Sequence, residues 1–349
     1  MPDPIVRVAL DTNPLYVTRA GVARYVRGLR AGFSALPAGP RLTEIGWPVE
    51  NFDYIRPMRA FKTAWRELWW APCVAPGLLR GAEVELVHHT AGPLLPFVPG
   101  MRHVVTLHDL ALLRHPARFR PWQRYSGLRR LRRVARADRV ICVSRFTADE
   151  AISLLGLPAA QIEVVHHGVT LAEKVSLPAG LPPEFYLFVG SLEPGKNLLF
   201  LKSLWLEHGR SLPPLVVVGA RWQGVAHEGP APDGWIYLDH QSDEVLRALY
   251  GRAQALLFPS LYEGFGLPVL EAMAAGCPVL CAPQASLPEI SGGAACLAEL
   301  DTNRWLKAMQ AIRADTEGWR QRGQARAREF TWEKCARETL AVYRSVLGV

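Results

Sequence analysis

At 349 residues the chain exceeds what one hydrophobic core ordinarily serves, so two domains are expected. Apolar residues at 49% and charged residues at 21% exclude an intrinsically disordered chain, and no apolar run reaches the ~18 residues of a membrane span. The net charge of +8 is concentrated: residues 114–139 hold ten arginines and one acid, Asp138, which fits either an anionic partner or a solvated helix face.

In chain order, MPDPIVRVALD has no basic leader before an apolar block, so a cytoplasmic protein with reduced, free cysteines is expected. Apolar, β-rich runs then predict strands at 5–10, 84–88, 103–107, 139–143 and 162–166. Helical patterns fall at 21–35, 61–72, 122–136 and 145–155. In the second of these Trp65 and Trp69 stand four apart on one face, either as core or as a flat surface for an acceptor sugar or lipid. The run 169–184 is rich in Pro, Gly and Ala and lacks a period, so it reads as the boundary. Beyond it strands are predicted at 185–190, 214–219, 235–238, 255–259 and 278–282, alternating with helices at 197–208, 242–252 and 302–314. The closing helix is amphipathic. Such alternation predicts an α/β chain of two doubly wound domains with parallel sheets, in which ligands sit at the carboxyl ends of strands.

Two strand ends carry chemistry. After FYLFVG comes SLEPGKN, where Lys196 stands near a helix start, as a diphosphate site or an ordinary turn. After ALLFPS comes LYEGFGLPVLEAMAAG, with Glu263 in a glycine-containing loop and Glu271 expected in the first turn of a helix opened by Pro268. A second carboxylate beside helix-terminal amides repels phosphate unless it has another task. Carboxylates accept vicinal hydroxyls, so ribose on one glutamate and a sugar on the other is a coherent arrangement.

Together GSLEPGKN, PSLYEGFGLPVLEAMAAGCPVL and SLPE resemble the retaining GT-B glycosyltransferases of family 4 with their Glu-x7-Glu signature. GVARYVRGL (21–29), VVTLHDLALLRHP (104–116), ADRVICVSRFTADE (137–150) and VVHHGV (164–169) extend the likeness along the chain. The resemblance implies an acceptor domain at 1–170, a linker at 171–184, a donor domain at 185–330 facing it across a cleft, and a last helix, 331–349, crossing back. It implies ribose on Glu271, donor-sugar hydroxyls on Glu263, diphosphate on Lys196 and a histidine, His108, aimed at the sugar near the reacting carbon. Gly21, Gly190, Ser191, Gly219, Gly264, Phe265, Gly266 and Leu267 complete the implied donor-binding set, with base contacts near 219–222 and 239–241. Ser191 stands where many members carry arginine, which leaves Lys196 more of the phosphate charge.

There is no Asp-x-Asp, so metal-independent hexosyl transfer from a nucleotide-diphosphate sugar is expected, with retention of configuration and no cofactor. The version of the motif resembles mannosyl- and rhamnosyltransferases of bacterial surface polysaccharides. A glycan or lipid-linked glycan would be the acceptor, with His89, Trp65 and Trp69 as candidate contacts. Arg129, Arg130, Arg132 and Arg133 are candidates for an anionic membrane surface, which would make the protein peripheral to the inner face. Rival readings are a nucleotide-sugar epimerase or hydrolase, an inactive partner subunit and a basic nucleic-acid-binding protein. The last lacks aromatics interleaved with the basic residues, and no nucleic-acid partner is expected.

Overall fold

The computed structural model describes residues 5–50, 57–170, 180–220 and 229–349, so positions 171–179 of the expected linker and 221–222 of the expected base contacts lie outside the described residues. The chain divides into two compact units, Met1–Gly168 with Trp332–Val349, and Val169–Thr331.

The first unit holds a six-stranded parallel sheet of β1 (Arg7–Asp11), β2 (Arg41–Ile45), β3 (Leu86–His89), β4 (Arg102–Leu107), β5 (Arg139–Cys142) and β6 (Ile162–Val164), ordered β2-β1-β3-β4-β5-β6. Its central strands are apolar on both faces because helices cover both. Val8, Leu10, Leu86 and Val104 pack with Tyr25, Leu29 and Phe33 of helix Gly21–Ala35 and with Leu340 and Tyr343 of the last helix. The alternate residues Ala9 and Val87 join Trp70 and Leu79, while Val105 and Val140 join Val134 and Ala148. Each fully buried Val or Leu contributes roughly 1.5–3 kcal/mol. The last helix, Trp332–Leu347, lies directly on Gly21–Ala35, where Gly28 and Gly32 admit Trp332: a Cβ on Gly28 would fall 2.1 Å from its ring.

The second unit holds β7 (Tyr186–Val189), β8 (Leu215–Val218), β9 (Trp235–Leu238), β10 (Leu256–Phe258), β11 (Val279–Cys281) and β12 (Cys296–Leu297), all parallel and ordered β12-β11-β10-β7-β8-β9. The chain steps outward from β7 to β9 and then returns to β10 on the other side of β7. This reversal leaves a crevice at the carboxyl ends of β7 and β10, where doubly wound sheets hold ligands.

All ten predicted strands are present. The pattern missed β2, an edge strand whose RLTEI has one fully buried residue, Ile45, and β12, which is only two residues long. The helix expected at 61–72 is α-helical only over Pro57–Trp65 and continues as a π-helix over Arg66–Val74 that contains Pro72.

Candidate active site

In the second unit the crevice between β7 and β10 is built by two loops that hold each other. After β7 the backbone passes Gly190 and Ser191, then the Glu193 carboxylate accepts the Gly195 N–H at 2.8 Å and closes the one-turn 3-10 helix Pro194–Lys196. Asn197 follows in the left-handed conformation (φ 53°), so helix Leu198–His208 begins two residues after Lys196 rather than at it. The loop after β10 clips onto this turn, since the Gly195 carbonyl accepts the Leu261 N–H at 2.8 Å.

That clip joins residues 67 positions apart: the Lys196 ammonium donates to Glu263 Oε1. The Ser260 hydroxyl donates to the same oxygen at 2.5 Å, and Lys196 Nζ sits 5.5 Å from the centre of the Phe258 ring. The pair is mostly enclosed, with side chains 17% and 10% exposed. The Glu263 carbonyl is fixed from behind by the Ser286 hydroxyl at 2.9 Å.

Gly264, Phe265 and Gly266 then lead into helix Leu267–Ala274. Gly266 has φ 96°, a region open to glycine, and its carbonyl accepts the Val269 and Leu270 amides at 3.0 and 3.3 Å. Pro268 has no N–H, so the first-turn amide left without an intrahelical acceptor is that of Leu267. Glu271 is the fifth helical residue, not a first-turn acid as the sequence pattern implied, because the left-handed Gly266 sets the start at Leu267. Its Oε2 accepts from the Tyr250 hydroxyl at 3.4 Å. At the end of β8, Gly219 has φ 145° and lies so close to Gly190 that a Cβ would sit 1.8 Å from the Gly190 carbonyl oxygen. Among the described residues no group of three or more His, Cys, Asp and Glu is placed to hold a metal ion.

In the first unit the equivalent reversal lies between β1 and β3, whose ends are tied by the Thr90 hydroxyl donating to the Asp11 carbonyl at 2.6 Å. Burial pushes the Asp11 carboxyl up to about 6, against hydrogen bonds from Asn13 that lower it. Gly21 is the first residue of its helix and half-buried. His108 follows β4, half-buried, and its Nε2–H donates to the Thr90 carbonyl at 2.7 Å. A carbonyl only accepts, so the neutral ring carries its proton on Nε2 and leaves Nδ1 as an acceptor. Burial lowers the His108 pKa and favours that neutral ring. The amide at the start of helix Ala111–Arg114 is held by Asp109 Oδ1 at 2.9 Å, not by His108.

Behind His108 lies a network that sequence reasoning did not assemble. Tyr343 OH is hydrogen-bonded to His88 Nδ1 at 2.6 Å, His88 Nε2 to Thr106 Oγ1 at 2.8 Å, and Tyr25 OH to the same hydroxyl at 3.0 Å. His88 is held down to about 3 by burial and by the nearby His108. His167 stacks on Tyr25 at 4.8 Å and meets His108 edge-on at 5.3 Å.

His89, expected on the acceptor side, is fully buried, hydrogen-bonded to His103 at 3.1 Å and stacked on Phe97. A side chain without exposed surface contacts no acceptor, so His89 belongs to the core. Trp65 and Trp69 are the reverse case. They are 41% and 45% exposed, their rings 4.7 Å apart, so core packing does not account for them. Of the four arginines singled out, Arg129, Arg130 and Arg133 line one groove with Trp122 and Tyr125, while Arg132 is exposed and outside that lining.

Two family models match the chain, Glycosyltransferase Family 4 over residues 20–173 and Glycosyl transferases group 1 over 183–315. O-antigen chain mannosyltransferase B of Escherichia coli is 33% identical over 272 residues, covering 70% of each chain. This chain belongs to glycosyltransferase family 4. The glycosyltransferase is also 28% identical over 213 residues to the serotype-specific mannosyltransferase WbdA of Escherichia coli, spanning 54% of this chain but only 26% of that one. Among solved structures it resembles sucrose-phosphate synthase from Thermosynechococcus elongatus, with TM-score 0.74, 20% identity and 98% and 99% coverage. It also resembles Anabaena HepE in complex with UDP and glucose, with TM-score 0.68, 15% identity and 98% and 100% coverage. These likenesses show the GT-B fold, two Rossmann-like α/β domains. No described helix is long and apolar enough to cross a membrane.

Proposed function

We propose that this glycosyltransferase moves a hexose, mannose being favoured by its relatives, from a nucleotide-diphosphate sugar to a glycan acceptor of a bacterial surface polysaccharide, with retention and without a metal. The observation that carries the reading is the Lys196–Glu263 pair at the β7–β10 reversal, beside the helix opened by Gly266. In the ligand-free state each charge satisfies the other. An entering diphosphate takes the Lys196 ammonium and the Leu267 amide, which frees Glu263 to accept sugar hydroxyls. Glu271, half-buried near Tyr250, is assigned to the ribose. The bond from the anomeric carbon to the diphosphate oxygen breaks while the acceptor oxygen bonds the same face of that carbon. The acceptor proton passes to the leaving phosphate oxygen. Lys196 and the Leu267 amide stabilise the charge that develops there, the task a metal performs elsewhere.

The test is thermal stability with GDP, UDP, dTDP, ADP and their sugar conjugates, with and without chelator, followed by NMR of the anomeric configuration of the product. A shift for one base that survives chelation and is lost in Glu271→Gln is expected. No shift with any nucleotide would refute the donor site, and an inverted product would refute retention.

A further inference from the structure

The arginine-rich groove of the first unit is not used by the chemistry described above. It has a volume of about 390 Å³, within the roughly 300–1,000 Å³ of small-ligand sites. Helix Pro121–Val134 presents Trp122, Tyr125, Arg129 and Arg133 to it at spacings of three and four, and Arg136 follows just past the helix end. The π-helix Arg66–Val74 contributes Leu68, Ala71 and Pro72.

The charge in this groove is unbalanced. Arg129, Arg130, Arg133 and Arg136 line it, and none forms an ion pair among the described residues. Glu67 is the one acid in the lining, and it is engaged by the Ser126 hydroxyl and by Arg66 at 3.8 Å. Asp138, the one acid of the arginine segment, is held by Arg102 at 2.9 Å and by the His103 amide at 2.7 Å. Arg133 donates only to carbonyls, those of Pro93 at 3.2 Å and Leu95 at 2.9 Å, so its charge stays uncompensated. Its pKa is lowered by burial and by the three neighbouring arginines. Clustered like charges cost stability unless an anion relieves them.

Large apolar side chains border the same groove. Tyr125 is 62%, Leu68 53% and Trp122 41% exposed. The helix leading into the π segment carries the exposed Phe61 and Trp65, and the π segment itself the exposed Trp69, in one ridge of paired rings. A ligand matching both features is an amphiphile with an anionic head and an apolar chain.

We propose that this groove binds a lipid phosphate, the phosphate or diphosphate ester of a long apolar alcohol, with the head on Arg129, Arg130, Arg133 and Arg136 and the chain along Leu68, Trp122 and Tyr125. This deepens the proposed function and rests on it in one respect: the glycan acceptor is then carried on such a lipid. Nucleic acid also offers phosphates, but its bases need open aromatic faces. Phe97 is covered by the guanidinium groups of Arg133 and Arg136 at 5.3 and 4.9 Å, Trp122 is tilted against Tyr125 at 5.9 Å, and Trp65 is stacked on Phe61 and tilted against Trp69.

The experiment is calorimetric titration of the full chain with farnesyl diphosphate, farnesol, inorganic pyrophosphate and a single-stranded oligonucleotide. Farnesyl diphosphate is expected to bind about tenfold or more tighter than farnesol or pyrophosphate, and to lose about tenfold or more in the double variant Arg129→Gln, Arg130→Gln. Tyr125→Ser, a change at an exposed side chain, is expected to weaken farnesyl diphosphate but not pyrophosphate. Equal binding of pyrophosphate, equal binding of farnesol, tighter binding of the oligonucleotide, or farnesyl diphosphate binding unchanged in both variants would each overturn the proposal. The nucleotide melting shift, measured on the same preparation, reports separately on the donor site.

Discussion

Lys196→Met retains the side-chain stem and deletes the ammonium, leaving the Glu263 carboxylate with Ser260 Oγ at 2.5 Å as its remaining side-chain partner. A contact ion pair at an effective dielectric of about 20 is worth roughly 4 kcal/mol before desolvation is counted. With side chains 17% and 10% exposed, the pair lies between exposed pairs, worth about 0–1 kcal/mol, and fully buried ones, whose disruption costs about 3–5. A net loss of about 2–3 kcal/mol follows. In a unit of about 160 residues each kcal/mol moves Tm by roughly 2–4 °C, so the variant melts roughly 5–10 °C lower. Glu263→Gln retains the shape and an acceptor oxygen, so it costs less, and the double variant costs about 2 kcal/mol less than the sum. The assay is a double-mutant cycle by circular dichroism melting without nucleotide. Additivity within about 0.5 kcal/mol would show that the two groups do not depend on each other, and the swap on diphosphate binding would lose its basis.

Gly219→Ala places a Cβ 1.8 Å from the Gly190 carbonyl oxygen at φ 145°, so a loss of roughly 2–5 kcal/mol and weaker nucleotide binding are expected; an unchanged melting curve would refute the close approach. Gly32→Ala tests the docking of the last helix by the sign of its effect. In an unpacked helix alanine gains about 1 kcal/mol over glycine, but here the Cβ meets the Trp332 carbonyl oxygen at 2.2 Å, so a drop in Tm worth about 1–3 kcal/mol is expected. Asp11, buried and raised from 3.8 to about 6, favours the fold when protonated: its contribution is full below pH 3.8 and is lost as pH rises through about 6. Asp11→Asn removes that dependence, so its stability relative to the parent should rise by roughly 3 kcal/mol between pH 4 and 7. A difference that stays flat across that window in denaturant titrations would contradict the burial of the charge.

The sequence by itself determined the α/β class and the identity of the central strands. Runs such as LVVV at 215–218 are apolar at every position because a parallel strand covered by helices has no solvent face. RLTEI at 41–45 was invisible for the complementary reason: at the sheet edge only Ile45 is fully buried, so no continuous apolar run is needed. The LYEGFGLP turn was legible because Gly266, at φ 96°, occupies backbone space that favours glycine, whereas in SLEPGKN the left-handed position falls on Asn197 and not on the glycine. What only the tertiary structure decided is which strand ends meet. The reversal of strand order brings β10 beside β7 and so puts Glu263 on Lys196, across 67 positions that no local pattern spans. Burial was settled at the same level. His89 reads in sequence like any histidine at a strand end, yet packing against Phe97 and His103 takes it out of reach of ligand. Trp65 and Trp69 read in sequence as either core or surface, and the structure leaves them exposed. Local sequence sets backbone preference and periodicity; the neighbours that desolvate a side chain come from distant segments, and they are fixed only when the sheet order is.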